Sequence, residues 1–259
     1  MTALPRRRFL GAAAGLPLAA VLADAKLTQA AADSLQTVEI STKAGRTVTG
    51  ALALPATLPA PAVLLIHEWW GLNPQIKAVA AELANQGYVA LACDLYEGKV
   101  ADEPDQARAL MGAVDSGDAT DTLVSWVDNL KNGMREEGHT SGPVASIGWC
   151  FGGGWALNTA LATPIEGCVV YYGRVNKTAA ELAPLACPVL GQFATKDKWI
   201  NKEMVDGFEA AMKDAGKTAE IYWYEADHAF ANPTQARYDA ADAKLAWERT
   251  SAYFKAQLG

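Results

Sequence analysis

Basic residues are in deficit and cysteines are few in this chain. It holds 29 acidic residues against 22 lysines and arginines, a net charge of −7, and four cysteines in 259 residues. The shortage of bases argues against a nucleic-acid partner, because phosphate recognition gathers Lys and Arg into stripes. Four cysteines are too few to staple a chain of this length into a disulfide scaffold. Histidine is scarcer still, with three in all. No CxxC and no HExxH pattern occurs. Neither thioredoxin-like redox chemistry nor a metal site is therefore expected, and no cofactor is called for. The repeated apolar runs of about 20 residues that a polytopic membrane protein needs are missing too. Apolar residues are nevertheless plentiful. At 51% hydrophobic and 20% charged, the composition excludes a disordered chain. The length suits one large α/β domain, or at most two small ones.

The first 32 residues read as a leader rather than as fold. Arg6, Arg7 and Arg8 precede Phe9 and Leu10, and a weakly apolar run follows from Gly11 to Ala23. Ala23-Asp24-Ala25 and Ala30-Ala31-Ala32 offer small-residue cleavage sites. This is the three-part layout of a secretory signal, and the Arg-Arg-x-Phe-Leu core resembles a twin-arginine export signal. The apolar run is shorter than a span requires, so no stable membrane span is expected after processing. The expected address is periplasmic or secreted. The leader carries four bases against one acid, so its removal takes the net charge from −7 to −10.

Residues 33–259 read as a single alternating α/β domain with a mostly parallel sheet covered on both faces. Val38–Ile40 and Arg46–Ala53 suggest a hairpin around Ala44-Gly45. Ala62–His67 and Tyr88–Cys93 are continuous apolar runs, as in strands buried on both sides. Pro143–Trp149, Cys168–Tyr172, Val189–Ala194 and Ala219–Tyr224 continue the strand series. Helices are expected from Asn73-Pro74 to about Gln86, over 103–115 and 119–132, after Trp149 to about Ala162, over Asn201–Ala215 and over Thr234–Leu258.

The turn with chemical potential is Gly148-Trp149-Cys150-Phe151-Gly152. It lies where a buried strand passes into a helix, the place of a nucleophile elbow of form Gly-x-nucleophile-x-Gly. The glycines let strand and helix approach around a strained turn, and the helix N-terminus favours a thiolate. The backbone N–H of Phe151 would point at a developing oxyanion. The plain alternative is a small buried Cys in a Gly-rich turn. An elbow also needs an acid and a His later in the chain, each after a strand. Asp197 follows the Val189–Ala194 strand and His228 follows the Ala219–Tyr224 strand. Asp197 could instead cap the helix that follows, and His228 could be a polar loop residue. Asp227 is adjacent to His228 and poorly placed to reach its ring.

At these residues the sequence resembles the dienelactone hydrolase family of α/β-hydrolases. The resemblance rests on His67-Glu68-Trp69-Trp70-Gly71, on Gly87-Tyr88 leading to Asp94-Leu95-Tyr96, on Gly148-x-Cys150-x-Gly152-Gly153, on Asp197 and on His228-x-Phe230. It implies an α/β-hydrolase fold and a Cys150–His228–Asp197 triad that opens a small ester or lactone through a thioester. It further implies that Glu68 is catalytic, contacting the resting thiol and taking up its proton once substrate displaces the carboxylate, that the Trp69 N–H completes the oxyanion hole with Phe151, and that Arg108 helps hold substrate. Where the family places a second substrate-binding Arg, this sequence has Asn232. Trp70, Tyr96, Trp199 and Phe230 could line an apolar pocket, while Trp149 reads as core and His67 as structural.

Two other readings stand beside this one. A broader carboxylesterase is favoured by Asn232. A catalytically silent binding protein is disfavoured, because Cys150, Asp197, His228 and Glu68 are all present. The expected partner is a small-molecule ester or lactone, and the chain is expected to act as a monomer. Cys93, Cys168 and Cys187 lie in or beside apolar strands and read as core residues.

Overall fold

The computed structural model describes residues 16–259. The Arg6–Leu10 run lies outside the described residues. Two short helices open the described chain, α1 (Leu18–Ala23) and α2 (Ala25–Asp33), before the hairpin β1 (Gln36–Ser41) and β2 (Thr47–Ala53). Then come β3 (Ala60–Ile66), α3 (Pro74–Asn85), β4 (Val89–Cys93), α4 (Pro104–Gly112) and α5 (Ser116–Asp128). A π-helical turn (Asn129–Gly133) and the single turn α6 (Met134–Glu136) extend α5. The second half runs β5 (Thr140–Trp149), α7 (Phe151–Ala162), β6 (Gly167–Tyr171), α8 (Ala179–Leu182), β7 (Val189–Ala194), α9 (Lys202–Asp214), β8 (Ala219–Tyr224) and α10 (Ala240–Leu258).

The eight strands form one sheet in the order β1-β2-β4-β3-β5-β6-β7-β8. β1 and β2 pair antiparallel, β2 joins β4 antiparallel, and the rest of the sheet is parallel. This is the α/β-hydrolase fold. From β3 the chain goes to β4 on one side and then to β5 on the other. Such a reversal leaves a crevice at the carboxyl edge of the strands, where open α/β sheets bind ligands.

Each face of the sheet has its own core. Val63 and Leu65 of β3 pack with residues of α3 and α10, whereas Ala62, Leu64 and Ile66 pack with α5, α7 and α9. Burial on both faces is why β3 and β4 read as unbroken apolar runs. Local signals set the helix starts. Asn73 caps α3 ahead of Pro74, and Asn201 caps α9 through its side chain. Cys168 N–H donates to Tyr253 Oη across the sheet face, tying α10 to the strands.

Several boundaries shift by about three residues, such as α4 ending at Gly112, α5 starting at Ser116 and β5 starting at Thr140, and two segments depart further from the sequence reading. The last helix begins at Ala240, capped by the Asp239 carboxylate, rather than at Thr234. Asn232 accepts from the N–H and hydroxyl of Thr234, a local turn that competes with helix there. Residues 229–239 are therefore a loop beside His228. The described part of the expected leader is helical and docked on the domain, with Val21, Leu22, Thr28, Ala31 and Ala32 buried. Thr28 Oγ1 bonds Val21 O, joining α2 to α1.

The tightest packing lies where β5 meets α7. A Cβ on Gly148 would sit 2.0 Å from Gly152 O, and one on Gly152 would sit 2.2 Å from Ile66 O. No side chain fits at either position. Gly148→Ala is expected to lower the unfolding free energy by at least about 3 kcal/mol, read as a lower denaturant midpoint. An unchanged midpoint would contradict this packing.

Candidate active site

Cys150 stands between β5 and α7 with φ 55° and ψ −117°, a conformation that L residues rarely adopt. Its N–H donates to Tyr171 O at 3.0 Å, which holds the turn against the next strand. The strained turn points the thiol to the carboxyl edge of the sheet, where it is partly exposed. Among the described residues, the N–H groups of Phe151 and Trp69 donate to no other protein group. Phe151 follows Cys150 at the start of α7, and Trp69 lies in the loop after β3, whose first residues approach Gly152.

His228 Nε2 lies 3.1 Å from Cys150 Sγ, and its Nδ1–H donates to Asp197 Oδ2 at 2.6 Å. The other oxygen of Asp197 accepts from the N–H groups of Trp199 and Ile200 at 2.8 and 3.0 Å. One carboxylate thus organises its own turn and orients the imidazole. Asp227 is exposed and takes no part. The indole of Trp199 stands edge-on to the His228 ring at 5.2 Å while remaining 58% exposed. It roofs the histidine without sealing the site.

Burial disfavours charge on His228, but the Asp197 hydrogen bond and the Cys150 sulfur outweigh it and push its pKa from 6.5 up to about 10. Burial also works against the charge of Asp197. The His228 contact and two backbone N–H bonds still hold it below the usual 3.8.

Glu68 is buried rather than a solvated loop residue. Burial pushes its carboxyl up, against the pull of Asn232, His228, Tyr172 and Arg237. Its Oε1 accepts from Tyr172 Oη at 3.2 Å and its Oε2 from Asn232 Nδ2 at 2.6 Å. The contact between Glu68 and the resting thiol that the resemblance implies is replaced by this arrangement, and the thiol meets His228 instead. His67 is structural. Its Nδ1–H donates to Glu68 O at 2.6 Å and its Nε2 accepts from Leu95 N at 3.2 Å, which fixes a neutral tautomer.

The other expected residues divide. Tyr96 is buried on a turn held by the Asp94 carboxylate, with its ring 4.6 Å from His67 and 5.7 Å from Phe151. Trp69 and Trp70 pack edge to face at 4.9 Å in the loop after β3. Phe230 does not line a pocket. It is fully buried between Tyr172 and Tyr224, at 5.5 and 4.8 Å, because its loop turns it into the core. Arg108 is an exposed residue of α4 whose guanidinium pairs with Asp105 at 2.6 Å, so it joins no site residue. Trp149 packs on Tyr171 in the core. All four cysteines are free, with Cys93, Cys168 and Cys187 buried.

Three residues near the site were not singled out for this role. Tyr172 holds Glu68, Asn232 is wholly buried against it, and Arg237 lies with its guanidinium 5.4 Å from the Trp199 ring. The positive φ of Tyr172, 36°, and of Ala229, 66°, carries no sequence signature. Among the described residues no cluster of three metal-ligating side chains occurs and no helix is long and apolar enough to cross a membrane.

The Asp197–His228 bond has a defined pH window. His228 is raised, so its contribution to stability is complete below 6.5 and is lost as pH climbs through about 10. Asp197 is lowered, so its contribution is present above 3.8 and is lost as pH falls through the depressed value. Urea unfolding of the wild type and His228→Gln is expected to show the largest difference between these limits. The gap should narrow toward alkaline pH, and a difference that grows there would refute the assignment.

The sequence profile of the dienelactone hydrolase family matches residues 48–258. Protein usf of Aquifex pyrophilus is 34% identical over 229 residues, covering 83% of this chain and 96% of the relative. The carboxymethylenebutenolidase of Pseudomonas putida is 28% identical over 224 residues, covering 82% of this chain and 92% of that one. Among solved structures, a dienelactone hydrolase-like promiscuous phosphotriesterase from metagenomic libraries superposes with TM-score 0.76 at 20% identity, covering 87% of this chain and 99% of that one. That likeness speaks to the fold alone. The fold, the family match and the relatives agree: the chain belongs to the dienelactone hydrolase family and is a carboxylic ester hydrolase.

Proposed function

We propose that this chain hydrolyses small esters or lactones by covalent catalysis at Cys150. The observation that carries the reading is the unbroken line from Cys150 Sγ through His228 to Asp197 at 3.1 and 2.6 Å. His228, its pKa raised to about 10, holds the proton drawn from the Cys150 thiol as imidazolium, and the sulfur attacks the substrate carbonyl. The developing oxyanion receives the N–H groups of Phe151 and Trp69. Collapse expels the alkoxide, which takes the proton from His228 and leaves a thioester on Cys150. Water, giving its proton to His228, then attacks the thioester; the C–S bond breaks, the sulfur pairs again with protonated His228, and the acid leaves. Asp197 keeps the Nδ1–H tautomer and stabilises the imidazolium at each stage.

Relatives named carboxymethylenebutenolidase support a lactone as substrate. A broader carboxylesterase is the second reading, and the burial of Asn232 favours it. Asn232 spends its amide on Glu68, so that position offers nothing to a substrate carboxylate. Cys150→Ala is expected to lower kcat/KM for a small aryl ester by at least about a thousandfold with the fold intact. Intact mass of the wild type quenched during turnover should show an acyl adduct on Cys150. Unchanged turnover in the variant would end the covalent reading. A panel of dienelactones, neutral lactones and simple esters separates the two substrate classes.

We further propose that Arg6 to Leu10 direct the chain out of the cytoplasm, supported by the Arg-Arg-x-Phe-Leu order followed by small-residue cleavage sites. N-terminal sequencing of the native protein is expected to find a start after Ala25 or Ala32. A start at Met1 would overturn it.

A further inference from the structure

Glu68 poses a physical problem that the hydrolytic line does not solve. It is a buried carboxyl that shares Tyr172 and His228 as neighbours with the Cys150 sulfur. A carboxylate set loose there would compete for the His228 imidazolium and place like charge beside the thiol. Both of its oxygens are instead occupied, by Tyr172 Oη at 3.2 Å and by Asn232 Nδ2 at 2.6 Å. The second bond is the shorter, and its donor is wholly buried. The orientation of the Asn232 amide is fixed from behind, because Oδ1 accepts from Thr234 N at 3.0 Å and from Thr234 Oγ1 at 2.7 Å. Turning the amide over would break all three contacts. The nitrogen therefore stays aimed at Glu68.

We propose that Asn232 is a positioning residue that parks the Glu68 carboxyl against Tyr172 and off the thiol, so that Cys150 rests on His228 and is reactive before substrate arrives. The proposal rests on Cys150 being the nucleophile. Its electrostatic surroundings are complete. Glu68 is faced by Tyr172 from the end of β6 and by His228, Asn232 and Arg237 from the segment after β8. Cys150 is faced by His228, by Tyr172 and by Tyr96 from the loop after β4. Within this set Asn232 is an uncharged donor committed to Glu68, which lets it hold a carboxylate without drawing the charge of His228 or Arg237 into a competing pair.

The test is alkylation of the full chain by iodoacetamide without substrate, from about pH 5 to 9, with the Cys150 adduct followed by intact mass and peptide mapping. Near-neutral pH should give rapid labelling of wild-type Cys150. Asn232→Leu is expected to slow labelling at least about tenfold near pH 7, because the Glu68 carboxyl, freed of its shorter bond, is no longer held off the thiol. Adding Glu68→Gln to Asn232→Leu should restore most of the rate, since a neutral amide cannot oppose the thiolate. Should Asn232→Leu fail to fold by near-ultraviolet circular dichroism, Tyr172→Phe provides the second arm. It removes the other donor on Glu68, keeps the ring, and should slow labelling in a way that Glu68→Gln again reverses. Wild-type labelling rates in the donor variants would overturn the proposal. So would a loss that Glu68→Gln does not rescue, which would mark Asn232 as merely structural. If wild-type Cys150 is not labelled and Cys150→Ala still hydrolyses esters, the nucleophile reading itself has failed and the proposal falls with it.

Discussion

The structure depends first on the absence of side chains at Gly148 and Gly152. With no Cβ at either position, β5, α7 and the end of β3 close to backbone contact. That contact forces Cys150 into its positive-φ turn and aims its side chain away from the core. The same contact brings the loop after β3, with Trp69, alongside the first turn of α7, with Phe151. Sulfur and unengaged N–H groups are thus neighbours because of one packing event. The strain of the turn is offset by the two cores on either face of the sheet and by the bond from Cys150 N to Tyr171 O.

The second constraint is charge in a dry place. Asp197, His228 and Glu68 are all buried, and an isolated buried charge is costly unless it is paired and hydrogen-bonded. Each finds a different remedy. Asp197 takes two backbone N–H bonds and the imidazole, so it stays ionised. His228 gains more from the carboxylate and the sulfur than burial takes away. Glu68 is served by Tyr172 and Asn232. The site is a set of charges sorted by their donors into separate positions, and chemistry at Cys150 needs that separation.

Much of this was legible in the chain itself. Continuous apolar runs announced β3 and β4, since strands buried on both faces have no polar alternation to lose. Asn73-Pro74 and Asn201 announced helix starts through a local capping rule. The Gly-x-Cys-x-Gly turn could be read because close backbone approach demands glycine at fixed spacing. Where long-range packing decides, the sequence was silent or misleading. Thr234 looked helical, but the Asn232 turn holds the chain in a loop until Asp239. Phe230 looked like a pocket wall, but its loop buries it between two tyrosines. Arg108 looked like a substrate anchor and stands on the surface with Asp105.

By itself the sequence determined the α/β alternation, the elbow and the order of Cys, Asp and His along the chain, because hydrophobic period, glycine spacing and strand ends are local properties. Only the tertiary structure decided the partners of Glu68. Asn232 lies 164 residues from Glu68 and Tyr172 lies 104 away. Hydrogen bonds across such separations are set by the packing of β3, β6 and the loop after β8 against one another, which no stretch of sequence encodes alone. The same packing aims Asn232 at a carboxyl, at the position where the family places a substrate-binding Arg, because at a fully buried position the only polar atoms within reach belong to the protein.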